Sequence, residues 1–529
     1  MTRSINSTLG VMVIIIANLN MAATEDTRNY VAMENILQKI NSKYISLPED
    51  DKRRNNKILD AVTKIIEKKM QETDPLFKKM FRKEKYFGGS YYDGLKVGKP
   101  EEYDLDLLLE LPPEVKPAIE VSEKHGFVHV VLNDISKLTN TGTSGKKNPT
   151  IKNIRVDQNY PYTTPWPVKY HFGDACSWPI KLRTWNDTLN TLLVDSKYLS
   201  TFKLLSWFEK VISTSLKDFK TEGTEECIFD VDVGEEDILK VYGKFHKASP
   251  ASTLKLKCSG NINLDIDLVP CFVFTGDMWP KENYRPNPVS QKSRFLVVPK
   301  IPHGEPCGPQ NPNNIYWRLS FQEQERELIS GNQYNTMKAT IKLLKKLRDE
   351  KNHKIASYFL KTIFLWEVEE REPNFWSKPL SVVFMEMLIK YESRLRKKDI
   401  PYYWNNKYNL IGHIKDITIE NIANYIKQVI DSVNRKVAED PFTIAYYILP
   451  PTDVEDLKSQ VNIGKKYKKL MGDSNTVDST DDQLESIHSR LDQLTEKVDL
   501  LYKLMQNTNV LLTEVLTVGK DDLDLSCRE

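Results

Sequence analysis

Two short stretches of this chain carry carboxylates in a pattern that is unfavourable unless cations or water neutralise it. Residues 88–112, GGSYYDGLKVGKPEEYDLDLLLELP, place Glu102, Asp104 and Asp106 in alternation. In an extended strand alternate side chains share a face, so the three acids line one side while Tyr103, Leu105 and Leu107 line the other. Acids side by side repel one another, which makes the stretch either a metal site or an exposed acidic edge. Much further along, residues 263–270 (NLDIDLVP) put Asp265 and Asp267 on one face in the same way. Two acid-bearing strands, the first preceded by a Gly-Gly-Ser turn, are the pattern that two-metal phosphoryl chemistry needs. Carboxylates hold two ions, one activating the attacking hydroxyl and the other clamping a triphosphate. The turn lets backbone amides and the Ser90 hydroxyl reach phosphate oxygens with no Cβ in the way. Taken singly each piece is weak: a lone Gly-Gly-Ser is mostly a turn, and a lone Asp-x-Asp is mostly surface.

The elements that must position these residues follow from periodicity. Between Asp51 and Met70, Ile58, Leu59, Val62, Ile65 and Ile66 recur at helical spacing after the breaker Pro48, which predicts a long amphipathic helix. Arg53, Lys57, Lys64 and Lys68 fall on one stripe beside its apolar face. Such a stripe is more often solvated surface than a binding site. Strand signals occur at 127–132, 238–245, 252–258 and 262–274, with a helix near Phe202–Phe219 between them. A polar, Pro-rich stretch from Asn140 to about Pro179 reads as loop or insertion. Mixed strands and helices make this half α/β or α+β, and from Gln322 to about Met471 the pattern turns helical.

Composition narrows the class. The chain has 529 residues, 40% of them hydrophobic, and 75 Lys and Arg nearly cancel 73 Asp and Glu, so any polyanion-binding surface must be local. Six cysteines, at 176, 227, 258, 271, 307 and 527, form no Cys-x-x-Cys, as expected for reduced thiols in a cytoplasmic protein without a zinc site. The apolar run from Leu9 to Ala17 is too short to span a bilayer. It passes for a signal-peptide core or, in the reading adopted here, for an extension upstream of a functional start at Met21 or Met33.

In combination, residues 88–112 and DIDLVP resemble the nucleotidyltransferases of the cyclic GMP-AMP synthase type, and more closely the insect cyclic GMP-AMP synthase-like receptors of the Mab-twenty-one-like family. MWP (278–280), RFLVVPK (294–300), YWRLSFQEQERELI (316–329), IKLLKKL (341–347) and ASYFLKT (356–362) follow in the family's order, and the resemblance covers residues 33–430. It implies an α+β, two-lobed nucleotidyltransferase fold with a mixed sheet, a long spine helix in the N-lobe and a helical C-lobe. Carried over by position, Glu102, Asp104 and Asp267 would be the catalytic ligands of Mg2+ or Mn2+. Gly89 and Ser90 would hold the triphosphate, and Arg318 and Ser320 would contact a nucleotide. Lys345 would contact phosphate, while Ser357 and Tyr358 would close the pocket with the ring on a base. Asp106 and Asp265 are extra acids, second to the ligands or exposed.

The implied activity is joining ATP and GTP into cyclic GMP-AMP, an innate immune messenger, on activation by a nucleic acid. The alternative is a catalytically silent member acting as a nucleic-acid-binding or scaffold protein. Residues 322–341 contain neither His nor Cys, where the vertebrate enzyme inserts a zinc module. Insect relatives that lack this module resemble double-stranded RNA sensors, so the resemblance implies double-stranded RNA rather than DNA, read by shape and phosphate on the Arg53, Lys57, Lys64 and Lys68 stripe, with no membrane contact. The expected organisation is a disordered extension over 1–32, an N-lobe over 33–321 with an insertion at 134–200, a C-lobe over 322–471 and a linker over 472–483. Over 484–516, Leu484, Ile487, Leu491, Leu494, Val498, Leu501, Met505, Thr508, Leu512 and Val515 keep the alternating spacing of a heptad seam, which predicts a self-associating coiled coil.

Overall fold

The computed structural model describes residues 30–46, 49–98, 101–139, 184–232, 238–248, 251–258, 262–289, 293–306, 308–309 and 311–472. The expected coiled coil, nearly all of the expected linker and most of the expected extension lie outside them. The chain divides into a body ending at Val454 and a second unit from Glu455 onward. The body is α+β, as expected. It begins slightly earlier than the sequence indicates: Tyr30 is buried, and its hydroxyl donates to Asn434 Oδ1 at 2.8 Å.

Helix α1 (Glu49–Thr73) is the predicted spine. Ile58, Leu59, Val62, Ile66 and Met70 are buried along one side, and each such side chain removed from water contributes about 1.5–3 kcal/mol. The next elements are β1 (Phe81–Phe87), β2 (Glu102–Leu109), β3 (Pro117–Val121), β4 (Phe127–Leu132), α2 (Trp185–Thr191), β5 (Leu193–Val194), β6 (Tyr198–Leu199) and α3 (Thr201–Ser215). Strands β7 (Glu226–Val231), β8 (Leu239–Ala248), β9 (Ala251–Cys258), β10 (Ile262–Phe274), β11 (Phe295–Val298) and β12 (Trp317–Ser320) complete one mixed sheet. Lys85 on β1 ties the sheet to α1, with its ammonium 3.3 Å from Asp60 and 3.2 Å from Glu67.

One departure concerns 134–200, read above as an insertion. Its last residues belong to the sheet, since β5 pairs with β6 and β6 adds to β4 with Tyr198 opposite Val131. Two-residue strands flanked by polar residues carry no periodicity of their own, and burial of Leu193 and Leu199 against the body is what defines them.

The second half holds α4 (Gln322–Leu328), α5 (Asn335–Glu350), α6 (Ser357–Glu370), α7 (Leu380–Arg396), then a hairpin of β13 (Pro401–Tyr402) and β14 (Asn405–Asn409), then α8 (Asp416–Lys436). The hairpin interrupts what the sequence presents as an all-helical lobe. A final helix, α9 (Pro451–Gly472), runs out of the body. Among the described residues no helix is long and apolar enough to cross a membrane, and Cys227, Cys258 and Cys271 are free and buried.

The start of the body is pinned to the helical lobe by one carboxylate. Glu34 accepts from the backbone N–H of Leu380 at 3.1 Å and of Ser381 at 2.7 Å, the first donors of α7, which no side chain of that helix caps. Burial opposes its ionisation, but hydrogen bonds from Ser381, Gln38 and Leu380 outweigh this and hold its pKa below the ordinary 4.5. A folded-state pKa lowered in this way stabilises above the unfolded value and is lost as pH falls through the folded one. Glu34→Ala is expected to cost about 1–2 kcal/mol at neutral pH. In thermal unfolding its deficit against the parent should shrink below the ordinary carboxylate pKa; an equal deficit at all pH values would contradict the capping role.

Candidate active site

The sheet and the helical half enclose a cavity of about 1030 Å3. Its floor comes from the β2–β10 pairing, which is parallel and sets Asp265 opposite Glu102, Asp267 opposite Asp104 and Val269 opposite Asp106. Four carboxylates thus stand in two adjacent rows facing the cavity. Each is managed differently. Glu102 is held by Lys96 at 2.6 Å, whose ammonium keeps its pKa below the ordinary value. Asp265 pairs with Lys255 at 3.0 Å, and Asp267 accepts from Thr253 Oγ1 at 2.5 Å. Asp104 has no such partner among the described residues. It is open to the solvent of the cavity yet walled by protein, and this partial desolvation, with the Asp267 charge beside it, pushes its carboxyl above the usual range.

A fifth carboxylate, Asp106, continues the β2 row and lines the cavity but is not exposed. It is 4% accessible, accepts from Gln322 Nε2 at 2.9 Å, and burial first, then Asp104, pushes its pKa up to about 7. The alternation legible in sequence therefore holds for Glu102, Asp104 and Asp106, with only the last of them buried.

The carboxylates suit a divalent cation by charge and by type, because Asp104 and Asp267 repel one another with no cation between them. Among the described residues no three acidic, His or Cys side chains yet converge tightly enough to hold a metal. Glu102 is turned to Lys96, so gathering the trio Glu102, Asp104 and Asp267 requires drawing Glu102 away from that ammonium.

The Gly-Gly-Ser turn leads into a single helical turn, Gly89–Tyr92. Gly88 donates its N–H to the Asp104 carbonyl at 3.0 Å, which seats the turn against β2. Gly89 has φ +70°, and a Cβ there would collide with the Asp104 carboxylate. Lys345 on α5 reaches over this segment and donates to the Leu95 carbonyl at 2.7 Å. Burial, then Arg348 and Lys96, lowers its pKa to about 8.

The opposite wall is aromatic. Arg318 on β12 lies 5.5 Å from the Tyr358 ring, 4.9 Å from Tyr402 and 6.0 Å from Tyr408. Tyr358 donates to Glu325 Oε1 at 2.7 Å, as does Trp404 Nε1 at 2.9 Å. The other oxygen of Glu325 pairs at 2.9 Å with Lys361, which pairs at 2.7 Å with Asp93 beside the Gly-Gly-Ser turn. This buried chain links the turn, α4 and α6.

Gly89, Ser90, Glu102, Asp104, Asp267, Arg318, Ser320, Lys345, Ser357 and Tyr358 all line the one cavity. Arg53, Lys57, Lys64 and Lys68 lie elsewhere, exposed on α1, and Lys64 is paired with Asp60 at 2.7 Å. Sequence reasoning missed Lys96, Asp93, Lys361, Glu325, Tyr402, Tyr408, Lys300, His303 and His413. For Asp93, Lys96, Lys300, Glu325 and Lys361 a signal existed, since each lies inside a quoted block. Tyr402, Tyr408 and His413 arrive with the hairpin and the turn after it, which no pattern announced.

Comparison with known proteins agrees with this geometry. A model described as Mab-21 protein nucleotidyltransferase domain matches residues 91–331, and one described as Mab-21 protein HhH/H2TH-like domain matches 336–428. A cyclic GMP-AMP synthase-like receptor of Tribolium castaneum is 38% identical over 423 residues, 79% of this chain and 92% of that protein. One of Aethina tumida is 38% identical over 427 residues, 80% and 93% of the two chains. One of Trichogramma pretiosum is 29% identical over 433 residues, 80% and 78%.

The Gly89 contact yields a sharp test. Gly89→Ala combines a strained φ with a clash on Asp104, so turnover should fall by about 100-fold while the melting temperature drops only slightly, the strain being about 1–3 kcal/mol. Parent-like turnover would show that the turn does not touch the reacting groups.

Proposed function

The chain belongs to the cyclic GMP-AMP synthase-like receptors of the Mab-21 nucleotidyltransferase family, and on that premise we propose that it joins ATP and GTP into cyclic GMP-AMP when a double-stranded RNA binds it. It is a nucleotidyltransferase. The observation that carries the finer reading is the cavity that gathers the acid rows, the glycine turn and the Arg318–Tyr358 wall.

In this reading Glu102, Asp104 and Asp267 hold Mg2+ or Mn2+, which when bound polarises the attacking hydroxyl and neutralises the triphosphate. Ser90, the amides of the turn, Lys345 and Ser357 hold the triphosphate of one nucleotide. Tyr358 offers its ring to a base, Ser320 a hydroxyl, and Arg318 its guanidinium. Positioning and charge neutralisation do most of the work, twice in one pocket, as the second bond closes the ring. Arg53, Lys57 and Lys68, exposed and without ion-pair partners among the described residues, would meet RNA phosphates, with Lys64 contributing less because Asp60 already neutralises it. Action in the cytoplasm and self-association through residues 484–516 belong to the same proposal.

Purified protein with labelled ATP and GTP, Mg2+ or Mn2+, and a panel of RNA and DNA tests it directly. Cyclic GMP-AMP is expected with double-stranded RNA. Glu102→Ala with Asp104→Ala should lose product by about 100-fold or more at unchanged fold. Asp267→Asn should behave likewise, and Asp265→Asn, held by Lys255, should be milder. Absence of product under every activator would favour a silent, binding-only member. For the surface, charge reversal at Lys57 and Lys68 should flatten the salt dependence of RNA binding by about one log unit per lost contact. Equal slopes for variant and parent would leave the stripe as solvated surface.

A further inference from the structure

The cations of the cavity are of two kinds. Lys96, Lys255 and Lys361 are each paired with carboxylates, at 2.6, 3.0 and 2.7 Å. Lys345, Lys300, Arg318 and the exposed Lys354 have no carboxylate partner within ion-pair distance among the described residues, although all four line the same cavity. A cation walled by protein without a counter-ion is a standing cost that an anionic ligand removes. The three of these that are walled by protein form two groups. Lys345 stands over the glycine turn, whereas Lys300 feels the charge of Arg318 and lies at the other wall.

Beside Lys300 are two imidazoles that no part of the mechanism above uses. His303, after β11, and His413, after β14, stack face to face with centroids 3.7 Å apart and planes within 7°. The edge of Phe359 closes one side of His413. His303 faces His413, Lys300 and Arg318, and His413 faces His303 and Lys300; among the described residues no carboxylate acts on either ring. Glu305, two residues beyond His303, is turned to Lys124 at 2.9 Å. Two ring edges and an unpaired ammonium thus converge in a wall of the cavity.

We propose that Lys300, His303 and His413, next to Arg318, form a second phosphate subsite, holding a phosphate of the second nucleoside triphosphate while the first lies on the glycine turn and Lys345. The inference rests on the two-nucleotide reading above and adds to it the residues that hold the second substrate. Two triphosphates in one cavity need two places where negative charge is met, and the unneutralised cations that are walled by protein are found in two places.

Electrostatics agree with the geometry. Burial, the neighbouring ring and the two cations hold His303 below the ordinary 6.5, and burial and Lys300 hold His413 below it against a hydrogen bond at Leu410. Lys300 is open to the cavity's solvent but walled by protein, and this with Arg318 lowers it to about 8. A phosphate would favour the charged form of every one of these groups. Affinity for the second nucleotide should therefore weaken as pH rises through about 8 and strengthen as the rings gain a proton at lower pH.

The test uses the full chain, with KM for ATP and for GTP measured separately, the other saturating, from about pH 6 to 9. In His303→Ala with His413→Ala, and in Lys300→Gln, KM for one nucleotide should rise about tenfold, the size of one charge-assisted hydrogen bond, with the other KM and kcat little changed. The double variant should also lose the gain in affinity below neutral pH. In parent protein without metal, the imidazole resonances of His303 and His413 should titrate at higher pH once ATP or GTP is added. Parent-like KM values for both nucleotides, or imidazole titrations unmoved by either, would overturn the subsite. If the parent made no product at all, the two-nucleotide reading would fail, while the imidazole titration would still decide whether this wall binds a nucleotide phosphate.

Discussion

The parallel pairing of β2 with β10 is the constraint on which the rest depends. It sets Asp104 beside Asp267 and Glu102 beside Asp265, so like charges that any chain would separate are held in adjacent rows by backbone hydrogen bonds. The surroundings answer that repulsion locally. Lys96 takes Glu102, Lys255 takes Asp265, and Thr253 donates to Asp267, leaving Asp104 as the group whose charge is least compensated. The acids suit a cation of higher charge than an ammonium by charge and by type, given convergence of Glu102 with the other two.

Convergence involves the segment that follows the glycine turn. Lys96, Leu95 and Asp93 lie within a few residues of one another, and each is held by a different part of the body: Glu102 on the sheet, Lys345 on α5 and Lys361 on α6. The side chains of Asp93, Lys361 and Glu325 are all less than one-tenth accessible. In such surroundings a lost partner leaves a buried charge uncompensated, so the chain from Asp93 to Tyr358 responds as a unit. The position of the turn and that of the aromatic wall are therefore not independent.

The hairpin β13–β14 plays a comparable part on the far side. It delivers Tyr402 and Tyr408 to Arg318 and leads on to His413, so the helical lobe, which supplies Glu325, Lys345, Ser357, Tyr358 and Lys361 from its helices, also shapes the wall opposite the acids. Arg285 anchors the loop that joins the two strands, donating to the Tyr403 carbonyl at 2.9 Å with its guanidinium over the Tyr403 and Trp366 rings.

Much of the site was legible in the sequence because alternation in a strand is a local property. Glu102, Asp104, Asp265 and Asp267 declare their shared faces by spacing alone, and the spine helix declares its buried side by the recurrence of Ile58, Val62 and Ile66. The glycine turn and the blocks around Arg318, Lys345 and Tyr358 were likewise readable as words of a known family. What spacing could not convey is which side chains meet across elements. Nothing local distinguishes Asp106, sealed under Gln322, from Asp104 two residues before it. Nor does anything local tell Lys96 to pair with Glu102, Lys361 to bridge Asp93 and Glu325, or His303 to stack on His413. The sequence by itself determined the acid faces, the turn and the elements that carry them, because these depend on backbone periodicity. Only the tertiary structure decided which charges are neutralised and which are left for a ligand, because desolvation and ion pairing depend on neighbours far apart in the chain.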